Sequence, residues 1–189
     1  MMDSTDDPLP QLTSYYPGQL LLASPALRDS NFMRSVIFIT EHNTDGAHGF
    51  VLNMPMQMTA GHLLPETEDS DLANVPVFHG GPVATDKLTF ARLQWNQDTM
   101  KFVFQSHLST QEALESRQLG DDIRAFVGYS GWTEGQLDDE LLATTWYIHK
   151  PESAIADQHA IPSLWTTLMS AKSPFHELMT HMPHRPELN

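Results

Sequence analysis

The sequence predicts a single α+β domain in which most strands of the sheet are antiparallel neighbours. Short apolar runs are separated by turn residues, a pattern typical of strands joined as hairpins. The order of segments lacks the strict alternation of strand and helix that indicates a doubly wound parallel sheet. A length of 189 residues, 40% of them apolar, suits one globular domain with a substantial core.

The predicted strands begin after Tyr15, where apolar runs alternate with Gly, Asn, Asp and Pro. The segment from Glu41 to Gly49 is interpreted as a hairpin-like connection between two of them. A second polar turn, QWNQDT, separates two further strands, and we expect the indole of Trp95 to be exposed there. The predicted strands are residues 18–24, 35–40, 49–53, 75–82, 88–93, 101–105, 123–129 and 145–150.

Helices are predicted where a capping residue or a proline stands at the start of a suitable segment. Thr133 and Gln136 have the spacing of a capping box, so one helix is expected to begin at about Glu134. Leu137 and Leu141 lie on one face of that helix, and we expect this face to pack against the sheet. The other predicted helices are residues 58–64, 109–117, 161–170 and 173–182.

The composition restricts both partners and location. The formal net charge is −14 and the cations are scattered singly, which disfavours direct binding of nucleic acid. The chain has no cysteine, which excludes disulfides and thiolate chemistry. The first residues are acidic, and no apolar run approaches the roughly 20 residues that span a bilayer. We therefore expect a cytoplasmic protein without membrane association, with an acidic tail at residues 1–12, the domain at 13–182 and a C-terminal tail at 183–189.

The segment GYSGWTEGQLDDEL, from Gly128 to Leu141, has partial features of two kinds of chemical site. Its beginning approaches the nucleophile elbow G-x-S-x-G, but the second glycine follows Ser130 one residue too early. The glycine-to-helix transition could hold phosphate, yet no lysine follows and nearby acids would repel an anion. A serine in a tight turn and a solvated helix face are the simpler interpretations. A hydrolase or metal-dependent enzyme using Glu41, His42, His79 or Ser130 stays open as an alternative.

The ten histidines do not form a motif that predicts a metal site. His42 and His48 fall in one predicted loop, whereas His176, His181 and His184 have spacings that no single helix face accommodates. We expect no metal and no cofactor.

Five segments, taken together and in order, resemble the bacterial YqgE/AlgH family. The resemblance implies a compact α+β domain whose bifurcated sheet curls into a pseudo-barrel flanked by helices. It implies no established enzymatic activity, although members are described as transcriptional regulators on genetic grounds. Many members carry cysteine where this chain has Thr40, so thiol chemistry cannot operate at that position. The segments are Gly18–Leu27, Phe32–Asn43, Gly46–Asn53, Gly80–Val83 and Gly128–Glu140.

We therefore expect a non-enzymatic regulatory or accessory factor that acts through a protein partner or a small ligand. A direct DNA-binding regulator is the third hypothesis, and it would need positive charge concentrated on one face. The contact surface is expected where apolar strands end. Its candidate residues are Glu41, His42, His79, Gly80, Gly81, Pro82, Tyr129 and Trp132.

Overall fold

The computed structural model describes residues 15–181, which form nine strands and five α-helices in that range. The tails predicted at residues 1–12 and 183–189 lie outside this range. The strands are β1 (Leu20–Ala23), β2 (Val36–Asn43), β3 (Gly46–Val51), β4 (Pro55–Thr59), β5 (Pro76–His79), β6 (Val83–Asn96), β7 (Lys101–Leu108), β8 (Asp122–Thr133) and β9 (Trp146–His149). The helices are α1 (Ala60–Leu63), α2 (Thr110–Gln118), α3 (Gln136–Leu142), α4 (Leu164–Ser170) and α5 (Pro174–Thr180).

Strand β8 is the point at which the sheet divides. Strands β5 and β6 both pair with residues 125–127 of β8, so they must lie on its opposite edges. Further along β8, residues 130–133 pair with β3, which continues into β2, β1 and β9. The pairing of β5 with β8 is parallel, and the other strand pairs are antiparallel. The bifurcated, mostly antiparallel sheet implied by the family resemblance is thus confirmed.

The sheet curls until strands that are not hydrogen-bonded neighbours meet through aromatic side chains. The ring of Phe38 in β2 lies 5.0 Å from that of Phe104 in β7, although these strands are not hydrogen-bonded neighbours. Helix α4 covers the enclosed core, and the Trp165 indole donates a 2.8 Å hydrogen bond to the carbonyl oxygen of Ala23 in β1. Burial of large aromatic and aliphatic side chains between the curled sheet and α4 stabilises this half-barrel.

The link from β5 to β6 has to cross the backbone of β8, and glycines make this crossing possible. A Cβ atom on Gly80 or Gly81 would collide with backbone atoms of residues 128–130. A Cβ on Gly128 would in turn approach the carbonyl oxygens of Gly81 and Val83. Gly80, Gly81 and Gly128 therefore share one structural cause, which is the close contact of two main chains.

Three expectations about element boundaries need correction. The predicted loop at residues 41–49 is mostly strand, because β2 extends to Asn43 and β3 begins at Gly46. Helix α3 begins at Gln136 rather than at about Glu134, since pairing with β3 prolongs β8 to Thr133. Trp95 lies in β6 and is half-buried, because pairing with β7 extends the strand into the predicted turn as far as Asn96.

Helices α2 and α5 begin within one residue of the predicted positions, whereas α1 begins at Ala60 because residues 58–59 belong to β4, and α4 begins at Leu164 after a 3₁₀ turn at Ile161–Ser163. Ser109 caps α2, where its side chain accepts a hydrogen bond from the Glu112 amide and Glu112 reaches back to the Ser109 backbone. Ser173 caps α5 in the same way by accepting from the His176 amide. Within residues 15–181, no helix is both long and apolar enough to cross a bilayer.

Candidate functional site

The β2–β3 hairpin separates neighbouring residues of the candidate surface onto opposite faces of the sheet. Side chains alternate along a strand, so Glu41 and His42 point in opposite directions. His42 pairs with Ala47, which pairs with Trp132, and all three are buried. Glu41 pairs with His48, and both are exposed. Only the face that carries Glu41 and His48 is open to a partner.

His42 is held in the interior by the segment that precedes β1. Its ring lies 5.2 Å from that of Tyr15 and 5.8 Å from that of Tyr16. The Tyr16 amide donates a 3.3 Å hydrogen bond to Nδ1 of His42, and Nε2 lies 3.8 Å from a carboxylate oxygen of Asp138. Because Nδ1 accepts this bond, the neutral tautomer carries its proton on Nε2. These contacts fix the Tyr15–Tyr16 segment on the sheet.

Trp132 also has a structural environment, which is built by α3. Its indole donates a 2.9 Å hydrogen bond to Oε2 of Glu140, and the indole of Trp146 donates to the same oxygen at 2.6 Å. The two indole rings meet edge to face with centroids 6.0 Å apart. Gln136 donates to the other oxygen of Glu140 at 2.9 Å. Glu140, which sequence reasoning had interpreted only as part of a solvated helix face, therefore orders both tryptophans.

The residues of the hydrolase alternative are not assembled into a catalytic group. Ser130 is fully buried, and its hydroxyl donates a 3.1 Å hydrogen bond to the carbonyl oxygen of Gly80. Glu41 lies on the opposite face of the sheet, as the alternation of both strands requires. His79 is half-buried at the end of β5, and its buried Nδ1 has no hydrogen-bond partner among residues 15–181. Among the residues described, no group of three or more His, Asp or Glu side chains could hold a metal ion.

The accessible part of the site is a row of side chains across four strands. His48 lies opposite Gly131, and the ring of Tyr129 folds across this glycine to stack on His48 with ring centroids 4.5 Å apart. Tyr129 pairs with Val83, whose side chain is 39% exposed. We call this surface the hairpin face. It consists of Glu41, Asn43, His48, Val83, Tyr129 and Gly131.

A shallow depression lies at the hairpin end of this face. Its volume is about 220 Å³, and its lining includes Glu41, Asn43, Asp45 and His48. The Asn43 side chain accepts a 2.8 Å hydrogen bond from the Asp45 amide and so shapes the turn. The two carboxylates give the depression a negative charge. His48 and Val83 were absent from the predicted contact surface, although counting back from a two-residue turn at Thr44–Asp45 would have paired His48 with Glu41.

The irregular segment beside Tyr129 also belongs to this region. The register of β6 against β8 shifts between Val83 and Leu88, which leaves the intervening residues unpaired with β8. Ala84 in this bulge has a φ of 51°, a conformation that costs energy for a residue with a side chain. Pro82 is exposed at its start, whereas Gly80 and Gly81 are buried. Of the predicted surface residues, Glu41, Tyr129 and Pro82 therefore contribute to the accessible region.

Comparisons with known proteins agree on one family. A family model described as AlgH-like matches residues 20–174. A UPF0301 protein of Chlorobium phaeobacteroides is 31% identical over 187 residues, which cover 91% of this chain and 95% of that protein. A UPF0301 protein of Pseudoalteromonas translucida is 34% identical over 164 residues, which cover 81% of this chain and 89% of that protein.

Two solved structures share the fold. Protein DIP2367 from Corynebacterium diphtheriae matches with a TM-score of 0.67 and 19% identity, over 88% of this chain and 92% of its own. The AlgH protein from Pseudomonas aeruginosa matches with a TM-score of 0.61 and 22% identity, over 93% of this chain and 98% of its own. These similarities establish the half-barrel architecture.

Proposed function

Because the chain belongs to the AlgH-like family, we propose that it is a cytoplasmic, non-enzymatic factor of regulatory or accessory type. It acts by binding a protein partner at the hairpin face. The observation that carries this proposal is the half-exposed ring of Tyr129, which is stacked on His48 beside the exposed side chain of Val83. An aromatic side chain held on paired strands is the kind of anchor on which interface energy concentrates.

The shape of the face favours a protein over a small ligand. Pockets for small molecules typically have volumes of about 300–1,000 Å³ and enclose most of the ligand surface. The depression beside Glu41 has a volume of only about 220 Å³ and lies at the tip of a hairpin. A broad partner surface can cover both this depression and the row from Glu41 to Val83, whereas a small molecule would stay largely exposed.

The environment of Ser130 supports a non-enzymatic role. A nucleophilic serine needs a base within hydrogen-bond reach and access to substrate. Ser130 has no exposed surface, and its hydroxyl proton is engaged with the carbonyl oxygen of Gly80. His48, a candidate base on the accessible side, lies on the other face of the sheet.

The distribution of cations argues against direct DNA binding. Arg124 is fully buried, where it pairs with Asp122 at 2.8 Å. Arg92 pairs with Asp121, and the guanidinium of Arg34 lies over the ring of Trp165 at 5.0 Å. Arg124 is enclosed by the fold and cannot contact phosphates, and the other two guanidiniums already have partners within the domain. With a net charge of −14, the protein surface repels a polyanion.

Site-specific photo-crosslinking in living cells tests this proposal. A photoreactive amino acid at position 83 is expected to give a discrete crosslinked product, because Val83 lies beside the Tyr129 ring. The matched control is the same amino acid at Leu119, which is 83% exposed but precedes the opposite end of β8. Equal products from both positions, or none from position 83, would contradict binding at the hairpin face.

A further inference from the structure

The hairpin face combines an aromatic surface with carboxylates that have no cationic partner in the described chain. Tyr129 and His48 form the stacked pair, and Glu41 extends the row on the far side of His48. Asp45 adds a second carboxylate at the depression. Neither acid forms an ion pair with any cation among residues 15–181. The face is therefore complementary to a positively charged group with a flat, weakly hydrated surface.

The guanidinium of arginine matches this face better than the ammonium of lysine does. Its guanidinium is planar, stacks on aromatic rings and donates two parallel hydrogen bonds to one carboxylate. One face of the His48 ring stacks on Tyr129, and Glu41 lies beside the other face, so a guanidinium stacked on His48 can also pair with Glu41. The ammonium of lysine is a compact point charge that gains from the carboxylates but offers no flat surface to the ring.

The size of the depression agrees with a single side chain. A cavity of about 220 Å³ is small for a drug-sized ligand but large enough to admit a guanidinium and part of its aliphatic stem. Positive charge on the partner would also speed its encounter with a protein of net charge −14. Charge complementarity and shape thus select the same occupant.

We propose that the hairpin face recognises an arginine-bearing segment of its protein partner, with the guanidinium between the Tyr129–His48 stack and the carboxylates of Glu41 and Asp45. This inference rests on the proposed function, since it assigns a chemistry to the partner that binds this face. The partner contributes the cation, and the exposed Val83 side chain contacts its apolar neighbours.

The test is a titration of the isotope-labelled protein with the capped peptide Gly-Ser-Gly-Arg-Gly-Ser-Gly, followed by amide chemical shifts. We expect saturable shifts confined to residues such as Gly46, His48 and Gly131. Replacing arginine by citrulline, which keeps the shape and removes the charge, should abolish them. Replacing arginine by lysine should weaken binding several-fold because the stacking is lost.

A pair of double variants separates specific recognition from general attraction to an acidic protein. We expect the double variant Glu41→Gln, Asp45→Asn to bind the arginine peptide about tenfold more weakly, or weaker still. The control, Glu66→Gln with Asp69→Asn, removes the same charge from two exposed acids of the loop after α1 and should change binding by less than about twofold. Equal losses in both variants, equal binding of the lysine peptide, or the absence of saturable shifts would each overturn the inference.

Failure of the assignment to arginine can be distinguished from failure of the proposed function. A discrete crosslink from position 83 whose captured segment contains no arginine would leave the hairpin face as a binding surface and remove its assignment to arginine. If the proposed function and the assignment to arginine are both correct, we expect the Glu41→Gln, Asp45→Asn variant to lose the crosslink. The Glu66→Gln, Asp69→Asn variant should keep it.

Discussion

The indole N–H of Trp146 donates a 2.6 Å hydrogen bond to Oε2 of Glu140, an oxygen that also accepts a 2.9 Å bond from Trp132. A half-buried carboxylate thus holds two aromatic rings in a fixed edge-to-face arrangement. Trp132 and Glu140, both in the Gly128–Glu140 segment, thus belong to one hydrogen-bonded cluster with Trp146, which we call the brace. This brace positions β8, whose opposite face carries Tyr129.

Removal of this carboxylate should destabilise the domain. We expect Glu140→Ala to lower the free energy of unfolding by about 2–4 kcal/mol, because two buried indole donors lose their charged acceptor. Urea denaturation followed by tryptophan fluorescence would measure the change. Asp139→Ala, at the exposed neighbouring position, should stay within about 0.5 kcal/mol of the parent. A loss no larger in Glu140→Ala than in Asp139→Ala would contradict the brace.

The main-chain crossing makes a separate prediction about two glycines with the same φ. Gly128 and Gly135 both have a φ of 69°, but only Gly128 would bring a Cβ against other backbone atoms. Gly135→Ala should cost about 1 kcal/mol for its left-handed conformation. Gly128→Ala should cost about 3 kcal/mol or more, because the crossing strand must also move. Similar midpoints for the two variants in thermal unfolding would show that the crossing tolerates a side chain.

These two cases indicate which parts of the molecule the sequence could predict. Strand and helix positions depend on local apolar patterns, and the runs around Leu21, Ile37 and Phe126 were placed correctly for that reason. The motif around Gly128 was interpreted as a turn that ends the strand, and this was wrong, because β8 continues through it to Thr133. Its structural partner, the Gly80–Gly81 pair, lies nearly fifty residues earlier in the chain, and no local pattern relates the two.

The site was less predictable because it depends on register and burial. Glu41 and His42 were assigned to one surface, yet strand alternation places them on opposite faces, and Tyr15 and Tyr16 then cover His42. The predicted contact between Thr133 and Gln136 forms, with Gln136 Oε1 accepting from the Thr133 amide, but α3 begins only at Gln136 because pairing with β3 keeps Thr133 in β8. Contacts between distant segments decided both outcomes.

The N-terminus of α2 gives a prediction about pH. Hydrogen bonds from the Ser109 side chain and backbone lower the pKa of Glu112 below its ordinary value. Since the folded-state pKa is lowered, the stabilising contact is complete above the unfolded-state pKa and is lost as pH falls through the folded-state value. Ser109→Ala should raise the titration midpoint of the Glu112 carboxyl, measured by carbon NMR.

A matched variant on the same helix controls for nonspecific changes. The Gln111 side chain donates to Glu115 rather than to Glu112. Gln111→Ala should therefore leave the Glu112 midpoint unchanged. An identical midpoint in Ser109→Ala and the parent would show that the capping box does not hold the Glu112 carboxylate in solution.

The stack on the hairpin face depends on a small residue at position 131. A Cβ there would lie 3.2 Å from Cε2 of Tyr129, a contact the ring can relieve by a small rotation. Gly131→Val adds two methyl groups in the space now occupied by the ring, so it should displace Tyr129 from His48. We expect the nuclear Overhauser effects between the Tyr129 and His48 rings to disappear in Gly131→Val and to remain in Gly131→Ala. Intact effects in Gly131→Val would contradict the arrangement.

Ser130 provides the most direct test of the hydrolase alternative. Its hydroxyl is buried and donates to the Gly80 carbonyl oxygen, which also accepts a 2.9 Å hydrogen bond from the Val51 amide. Because that oxygen keeps one donor, Ser130→Ala should cost only about 1 kcal/mol of unfolding free energy. A fluorophosphonate probe, which modifies activated serines, should leave the folded protein unlabelled while it labels a serine hydrolase in parallel. Labelling that disappears in Ser130→Ala would establish an activated nucleophile and refute the non-enzymatic proposal, because a hydroxyl committed to a backbone carbonyl cannot be activated without leaving that bond.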